Sequence, residues 1–218
     1  MPPRPRKGLS RAMTTNNGAK KGVLYVVSGP SGVGKGTICK ALIEQNPDIY
    51  LSISATTRPP RPHETDGVHY HFMNGDEFRD AVARSDMLEY AVFCGNYYGT
   101  PKQKVDEMLS TGRNVLLEIE VQGAMKARSK YPEGVYIFVL PPSMEELQKR
   151  IAGRGTESDE LISERLMTAL NEYSHIDSYN YILINDDIDS AVKRFEAIIT
   201  AESCRIERNM DIVDEVKP

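Results

Sequence analysis

A glycine-rich run ends in a lysine directly after an apolar, strand-like segment. The run comprises Gly29, Pro30, Ser31, Gly32, Val33, Gly34, Lys35, Gly36 and Thr37. Glycines let the backbone curl so that successive N–H groups point at phosphate oxygens, and the helix that follows adds partial positive charge. We expect Lys35 to bridge the outer phosphates of a bound ligand. Motif and context together predict a phosphate-binding loop, a P-loop, rather than a simple glycine turn.

One position of this loop departs from the common pattern. A serine or threonine usually follows the lysine, but Gly36 stands there and Thr37 comes one place later. The usual hydroxyl binds Mg²⁺. We therefore expect Thr37 to serve a magnesium ion or a phosphate less directly.

A second candidate anion site begins at Ser54. Residues 54–62 read Ser-Ala-Thr-Thr-Arg-Pro-Pro-Arg-Pro, so that prolines surround Arg58 and Arg61. Guanidinium groups grip phosphate through paired hydrogen bonds, and prolines restrict the loop before binding. A solvated basic loop is the alternative. A true second anion site implies a second phosphorylated ligand.

Short β-branched runs alternate with helical patterns from Gly22 onward, which indicates an α/β fold with a parallel core sheet covered on both faces. Five runs are predicted core strands: Val23–Ser28, Leu51–Ser54, Val115–Ile119, Val135–Leu140 and Tyr181–Ile184. Several are apolar almost throughout, as doubly covered parallel strands should be.

Helix signals lie between and after these strands. The first predicted helix follows the P-loop and ends near Asn46, where Pro47 follows. Ser143 and Glu146 predict a helix that begins with a capping box. The last predicted helix runs from about Ser190 to Arg208.

The alternation of strand and helix patterns stops between residues 55 and 102, where one predicted helix, capped at Asn74, lies among aromatic strand-like segments. We assign 54–102 to an insert, about 145–169 to a lid, and 22–53, 103–144 and 170–202 to the core. A glycine-flanked arginine at 153–156 predicts a hinged, charged flap. Residues 203–218 are expected to hold the helix end and a tail.

The first 21 residues are basic, carry no acid and contain three prolines. We interpret 1–21 as a disordered tail. A targeting peptide, a start at Met13 and a tail that touches nucleic acid are the alternatives.

Composition excludes several protein classes. The net charge of −4 argues against a polyanion such as DNA as the main partner. Cys39, Cys94 and Cys204 match no metal or disulfide spacing, so we expect buried small side chains and a cytoplasmic location. No apolar run approaches the roughly 18 residues that span a bilayer.

The order of five motifs resembles the guanylate kinase family over about residues 22–202. They are 29–37, 56–61, 95–100, 153–156 and 185–187. The resemblance implies a P-loop kinase fold with a five-stranded core sheet, a GMP-binding insert and a helical lid. It also implies ATP and GMP as substrates and Mg²⁺ as cofactor.

The resemblance also assigns roles residue by residue. GMP phosphate contacts fall on Arg58, Arg61, Tyr70 and Tyr98. Base contacts fall on Ser54, Glu89, Thr100 and Glu120, of which Glu120 departs from the aspartate frequent in the family. Lys35, Arg58, Arg154 and Arg165 are expected around the transferred group, and Asn185 joins the P-loop at the ATP site.

The chemistry of guanine agrees with these assignments. Guanine presents N1–H and N2–H donors beside the O6 acceptor, so its pocket needs a carboxylate next to hydroxyl donors. Adenine has no N1 proton and would leave a buried carboxylate unpaired. The alternative for Glu89 is a surface carboxylate.

Glu118 and Glu120 stand two residues apart on one predicted strand, so their side chains share a face. Glu118 could hold metal-bound water while Glu120 faces the base, the two roles could be exchanged, or either could be an edge charge.

Two other functions stay open at this point. A scaffolding domain of the same family binds peptides without catalysis, but such domains typically lose the P-loop or lid residues that this chain keeps. A kinase for another phosphorylated acceptor is the second, and Glu89 argues against it. Oligomeric state is left open, a homo-oligomer included.

Overall fold

The computed structural model describes residues 20–93, 95–153 and 159–217. Its strands are β1 Leu24–Ser28, β2 Tyr50–Leu51, β3 Ala55–Thr56, β4 His71–Phe72, β5 Met87–Phe93, β6 Asn96–Pro101, β7 Val115–Glu118, β8 Val135–Leu140 and β9 Tyr181–Ile184. Its α-helices are α1 Lys35–Gln45, α2 Gly75–Ala83, α3 Lys102–Ser110, α4 Val121–Lys130, α5 Met144–Ala152, α6 Asp159–Tyr173, α7 Ile188–Ser203 and α8 Met210–Val216.

A five-stranded sheet in the order β2-β7-β1-β8-β9 forms the centre, and every neighbouring pair is parallel. All five residues of β1 are buried, and so are the first five residues of β8. Helices cover both faces, which explains why these strands are apolar without alternation. The α/β prediction with a five-stranded parallel core is confirmed.

Two apolar clusters lie on opposite faces of this sheet. On one face, Val27 packs with residues of α1 and α7, including Leu42 and Phe195. On the other, Val26 packs with α4 through Ala124. Because the strands are held from both sides, their carboxyl ends form a rigid edge, where ligands bind in such sheets.

A second sheet, in the order β4-β3-β6-β5, lies between β2 and α3 along the chain. It has a small core of its own, made by Ala55, Phe78, Ala81 and Met87. Asn74 caps α2 as predicted, since its side chain accepts from the Glu77 N–H and the Glu77 carboxylate accepts from the Asn74 N–H.

The second core strand is present, but its predicted bounds, Leu51–Ser54, are wrong. β2 ends at Leu51 in the central sheet, and β3 begins at Ala55 in the second sheet. The segment was predicted as one strand from its apolar and β-branched residues, but the chain crosses between sheets there. The Ser52 N–H donates to the Leu116 carbonyl of β7, whereas the Ser54 carbonyl accepts from the N–H of His71, the first residue of β4.

The predicted last helix, Ser190 to Arg208, is also wrong at its end. α7 stops at Ser203, and a 3₁₀ turn at Ile206–Arg208 leads into α8. Buried Glu202 explains the turn, because the chain folds back to place the Arg208 guanidinium 3.1 Å from its carboxylate. A neighbouring expectation fails too, since Cys204 is exposed; Cys39 is buried, and Cys94 lies outside the described residues.

The capping box predicted at α5 is half present. The Ser143 Oγ accepts the Glu146 N–H at 3.2 Å, but the Glu146 carboxylate binds the Arg150 guanidinium at 2.9 Å.

Most of the predicted tail, residues 1–19, lies outside the described residues, and so do Arg154 and most of the predicted flap. Lys20 and Lys21 are described, and they contact Asn209 and Glu133. No helix within the described ranges is long and apolar enough to span a membrane.

Candidate active site

One cavity of about 480 Å³ opens at the carboxyl end of β7, between the P-loop and the second sheet. P-loop residues that line it are Pro30, Ser31, Gly32, Gly34, Lys35, Gly36 and Thr37. Predicted GMP and metal residues that line it are Ser54, Arg58, Arg61, Tyr70, Glu89, Tyr98, Glu118 and Glu120. The fold thus brings two groups of side chains, far apart in sequence, to one space.

The P-loop turns into α1 at Gly34, whose φ of 95° lies in the left-handed region that favours glycine. A Cβ atom there would also stand 2.4 Å from the Asn185 Nδ2. That amide nitrogen donates to the Val33 carbonyl at 2.7 Å. Asn185 therefore supports the loop from beneath and does not line the cavity.

Arg150 is a second support that sequence reasoning missed. Its guanidinium donates to the Val33 carbonyl at 3.3 Å and to the Asn185 carbonyl at 3.2 Å. The only sequence signal was its spacing of four residues from Glu146, which marks an ordinary helix ion pair.

The Lys35 side chain is only 8% exposed and turns back over the loop. Its ammonium donates to the Gly29 carbonyl at 2.5 Å and to the Pro30 carbonyl at 3.3 Å. The Glu120 carboxylate lies 3.8 Å away. The charge of Lys35 therefore stands at the wall shared by the P-loop and Glu120. Glu120 is the N-cap residue of α4 and not, as predicted, part of the strand that carries Glu118.

Gly36 makes room for Glu118. A Cβ atom at Gly36 would lie 3.2 Å from a carboxylate oxygen of Glu118, so a larger residue would crowd that side chain. Burial raises the pKa of Glu118, the Lys35 charge lowers it and Glu120 raises it. Thr37, one place later, is exposed at the cavity.

Arg58 is held by several partners at the other side of the cavity. Its guanidinium donates to the Glu64 carboxylate at 2.9 Å and to the Pro59 carbonyl at 2.7 Å. It lies 5.5 Å from the centre of the Tyr70 ring, and the Tyr98 side chain also interacts with it. The loop is therefore organised around Arg58 and is not a freely solvated basic segment.

Glu64 organises both arginines and was missed by sequence reasoning. One oxygen binds Arg58, and the other accepts the backbone N–H of Arg61 at 2.8 Å. These bonds lower the pKa of Glu64 to about 2. An acid three residues after an arginine could have suggested this link, although that spacing is common on surfaces.

Glu89 is 4% exposed, which excludes the surface carboxylate alternative. The hydroxyl of buried Thr100 donates to Glu89 Oε1 at 2.7 Å. Burial raises the pKa of Glu89 to about 7, against the opposing effects of Thr100, Lys126 and Lys130. Thr100 thus stands behind Glu89 and does not itself line the cavity.

Gly123 of α4 is a further residue that sequence reasoning missed. A Cβ atom there would stand 2.3 Å from Glu89 Oε2. The carboxylate packs directly on the helix backbone, so only glycine leaves it space. A glycine inside a helix was the available signal, since it usually has a packing reason.

The neighbouring tyrosines divide their roles. Tyr97 stacks on Phe78 with ring centres 5.3 Å apart, whereas Tyr98 lines the cavity near Tyr70. Arg165 lies on α6 and is not among the cavity-lining residues.

Comparison with known proteins gives a consistent result. A family model described as "Guanylate kinase" matches residues 21–202. The chain is 55% identical over 188 residues to a guanylate kinase of Clostridium perfringens (strain 13 / Type A), covering 86% of this chain and 87% of that protein. It is 53% identical over 198 residues to a guanylate kinase of Caldanaerobacter subterraneus subsp. tengcongensis, covering 91% of this chain and 96% of that protein.

A solved structure is similar as well. The crystal structure of guanylate kinase from Anaplasma phagocytophilum matches with a TM-score of 0.72 and 33% identity, over 87% of this chain and 90% of that one. The P-loop, the arginine loop and the buried carboxylate all lie within residues 21–202, which the family model matches. This chain belongs to the guanylate kinase family.

Proposed function

We propose that this chain transfers the γ-phosphate of ATP to GMP, giving ADP and GDP, with dGMP as a further acceptor. The observation that carries the proposal is the shared cavity: the P-loop lysine, two arginines and the buried Glu89 line one space. Two phosphate sites and one carboxylate site within a single cavity suit two nucleotides that react with each other.

The P-loop side suits ATP. Backbone N–H groups of 29–37 and the amino terminus of α1 surround the phosphates, and Lys35 neutralises their charge. The Lys35 ammonium donates to the loop carbonyls of Gly29 and Pro30. ATP phosphates would replace those carbonyls as the acceptors.

The opposite side suits GMP. Arg58, Arg61, Tyr70 and Tyr98 are our proposed phosphate contacts. Glu89 would accept the N1–H and N2–H donors of guanine, with Ser54, Thr100 and Glu120 completing the base site. Thr100 acts through Glu89, because its hydroxyl donates to that carboxylate.

Mg²⁺ fits the donors present at the P-loop. Among the described residues, no group of three or more His, Cys, Asp or Glu could form a metal cage. Mg²⁺ prefers one or two protein oxygens with water and substrate phosphates, and Thr37 with Glu118 could supply such oxygens. The ion would neutralise charge on the phosphates of ATP.

Direct transfer needs no protein nucleophile. An oxygen of the GMP phosphate attacks the γ-phosphorus in line as the bond to the ADP oxygen breaks. Lys35 and Arg58 would absorb negative charge, and we assign the same role to Arg154 and Arg165. A lid at about 145–169 would exclude water that otherwise hydrolyses ATP.

The expected partners are therefore ATP and GMP. A cytoplasmic location and the absence of a nucleic acid partner stay predictions.

A coupled assay of ADP release tests this proposal. The protein is incubated with ATP, Mg²⁺ and, in turn, GMP, AMP, CMP and UMP. We expect turnover with GMP. We also expect Lys35→Ala to reduce it strongly, because that variant loses the main positive charge of the P-loop. A folded protein that binds GMP but turns over no acceptor would reject the enzyme and favour a binding module.

A further inference from the structure

One face of α4 lies against the strand that carries Glu89. Gly123, Lys126 and Lys130 are three and four residues apart, so they share this face. α4 contacts β5 closely, although β5 belongs to the second sheet and α4 packs on the central one. The face therefore joins the two sheets at the base-binding side of the cavity.

The two lysines bind main-chain carbonyls on either side of Glu89. The Lys126 ammonium donates to the Tyr90 carbonyl at 2.5 Å and lies 4.3 Å from the centre of the Tyr90 ring. The Lys130 ammonium donates to the Leu88 carbonyl at 2.6 Å and to the Met87 carbonyl at 3.2 Å.

These carbonyls belong to a sheet edge. β5 is the last strand in the order β4-β3-β6-β5, so one of its sides has no neighbouring strand within the described residues. Alternate carbonyls of a strand point to the same side, as Leu88 and Tyr90 do toward α4. Lysines thus supply the hydrogen bonds that another strand would supply.

α4 also begins at the other carboxylate of the base site. Glu120 is its N-cap residue, and Glu89 packs against its backbone at Gly123. The helix therefore sets the separation of Glu89 and Glu120. A shift of β5 along α4 would move one carboxylate relative to the other.

We propose that Lys126 and Lys130 are positioning residues for guanine recognition, which hold β5 on α4 so that Glu89 meets the base in the correct place. The inference rests on the proposed function, because it concerns the same base site. Both lysines also carry charges that lower the pKa of Glu89, against the increase that burial causes. Neither side chain lines the cavity.

The test uses Lys126→Met, Lys130→Met and the double variant in the full chain. Lys193→Met is the matched control, since Lys193 is an exposed helix residue of α7. The measured quantities are kcat, KM for GMP and for ATP, and kcat/KM for GMP relative to IMP. IMP lacks the 2-amino group of GMP, so the ratio reports how well Glu89 meets that group.

We expect the double variant to raise KM for GMP about tenfold, as expected for lost charged hydrogen bonds. KM for ATP should change less than about twofold, because the P-loop is untouched. The preference for GMP over IMP should fall, and the Lys→Arg variants should retain most of it. The control should match the wild type.

An equal loss of kcat/KM for GMP and IMP would overturn the proposal, since it would indicate a general structural effect. Unchanged kcat, KM and GMP preference in both single variants would overturn it as well. If the double variant does not fold, the single variants alone test the proposal. Wild-type protein that is inactive with GMP would reject the proposed function and this inference together. Active wild type with unaffected variants would reject this inference alone.

Discussion

The Thr100 hydroxyl donates to Glu89 Oε1 at 2.7 Å, and both residues are buried. The second oxygen of Glu89 packs on the backbone of Gly123. The hydrogen bonds from Thr100 and the charges of Lys126 and Lys130 do not offset the loss of water around this carboxylate, so burial raises its pKa to about 7. The carboxylate that we propose as the acceptor of the guanine donors thus has a pKa near neutral pH.

GMP binding should therefore release a proton from Glu89. Below pH 7 the free protein holds a proton there, and guanine binding must expel it, so GMP affinity falls up to about tenfold per pH unit. Calorimetry in buffers of different ionisation enthalpy measures the protons released. The GMP phosphate also titrates near pH 6, so the contribution of Glu89 is the difference between wild type and Glu89→Gln. No difference at pH 6.5 would contradict the prediction.

Glu89→Gln should stabilise the fold at high pH while it weakens GMP binding. The folded pKa of about 7 lies above the usual glutamate value of 4.5. Stability therefore falls as pH rises from about 4.5 to 7, and the full cost of an ionised Glu89 is present above pH 7. We expect the free energy of unfolding to rise by up to about 3 kcal/mol at pH 8. Urea unfolding at pH 8 and pH 4.5 measures it; an equal gain at both values would refute the assignment.

Gly123→Ala should impair GMP recognition. Its Cβ would stand 2.3 Å from Glu89 Oε2, so the carboxylate must move. KM for GMP should rise by at least about tenfold, even though alanine stabilises helices by up to about 1 kcal/mol relative to glycine. Gly75→Ala in α2 is the control, because its Cβ would meet only the end of the Arg79 side chain, at 3.3 Å. Equal kinetics in the two variants would show that Glu89 adapts.

Glu64→Gln should weaken phosphate binding through Arg58. The amide keeps the shape of the side chain but loses the charge that holds the Arg58 guanidinium. We expect KM for GMP to rise about tenfold and KM for ATP to stay within about twofold. Steady-state kinetics provide the measurement. Asp86→Asn is the control, because Asp86 is an acid in an exposed ion pair with Arg84. A larger effect on ATP than on GMP would disprove this role.

Local sequence signals predicted the elements that are strongly patterned. Val115–Leu117 and Val135–Leu140 are continuous apolar runs, which are typical of doubly covered parallel strands. The cap at Asn74 is a contact among near neighbours, so the chain need not fold fully to specify it. The predicted bounds after Leu51 were wrong because the apolar and polar residues that alternate there suit a strand of either sheet. Hydrogen bonds to Leu116 and His71 decide which sheet each part joins.

The sequence by itself determined the P-loop, the arginine loop and the family, because each is encoded in the type and spacing of adjacent residues. Only the tertiary structure decided which distant residues support them: Arg150 beneath Val33, Glu64 behind Arg58, and the α4 face behind Glu89. Such supports depend on the packing distance between elements, which no local pattern records. Burial of Glu89, and with it the raised pKa, likewise follows from α4 and β6 closing around the side chain.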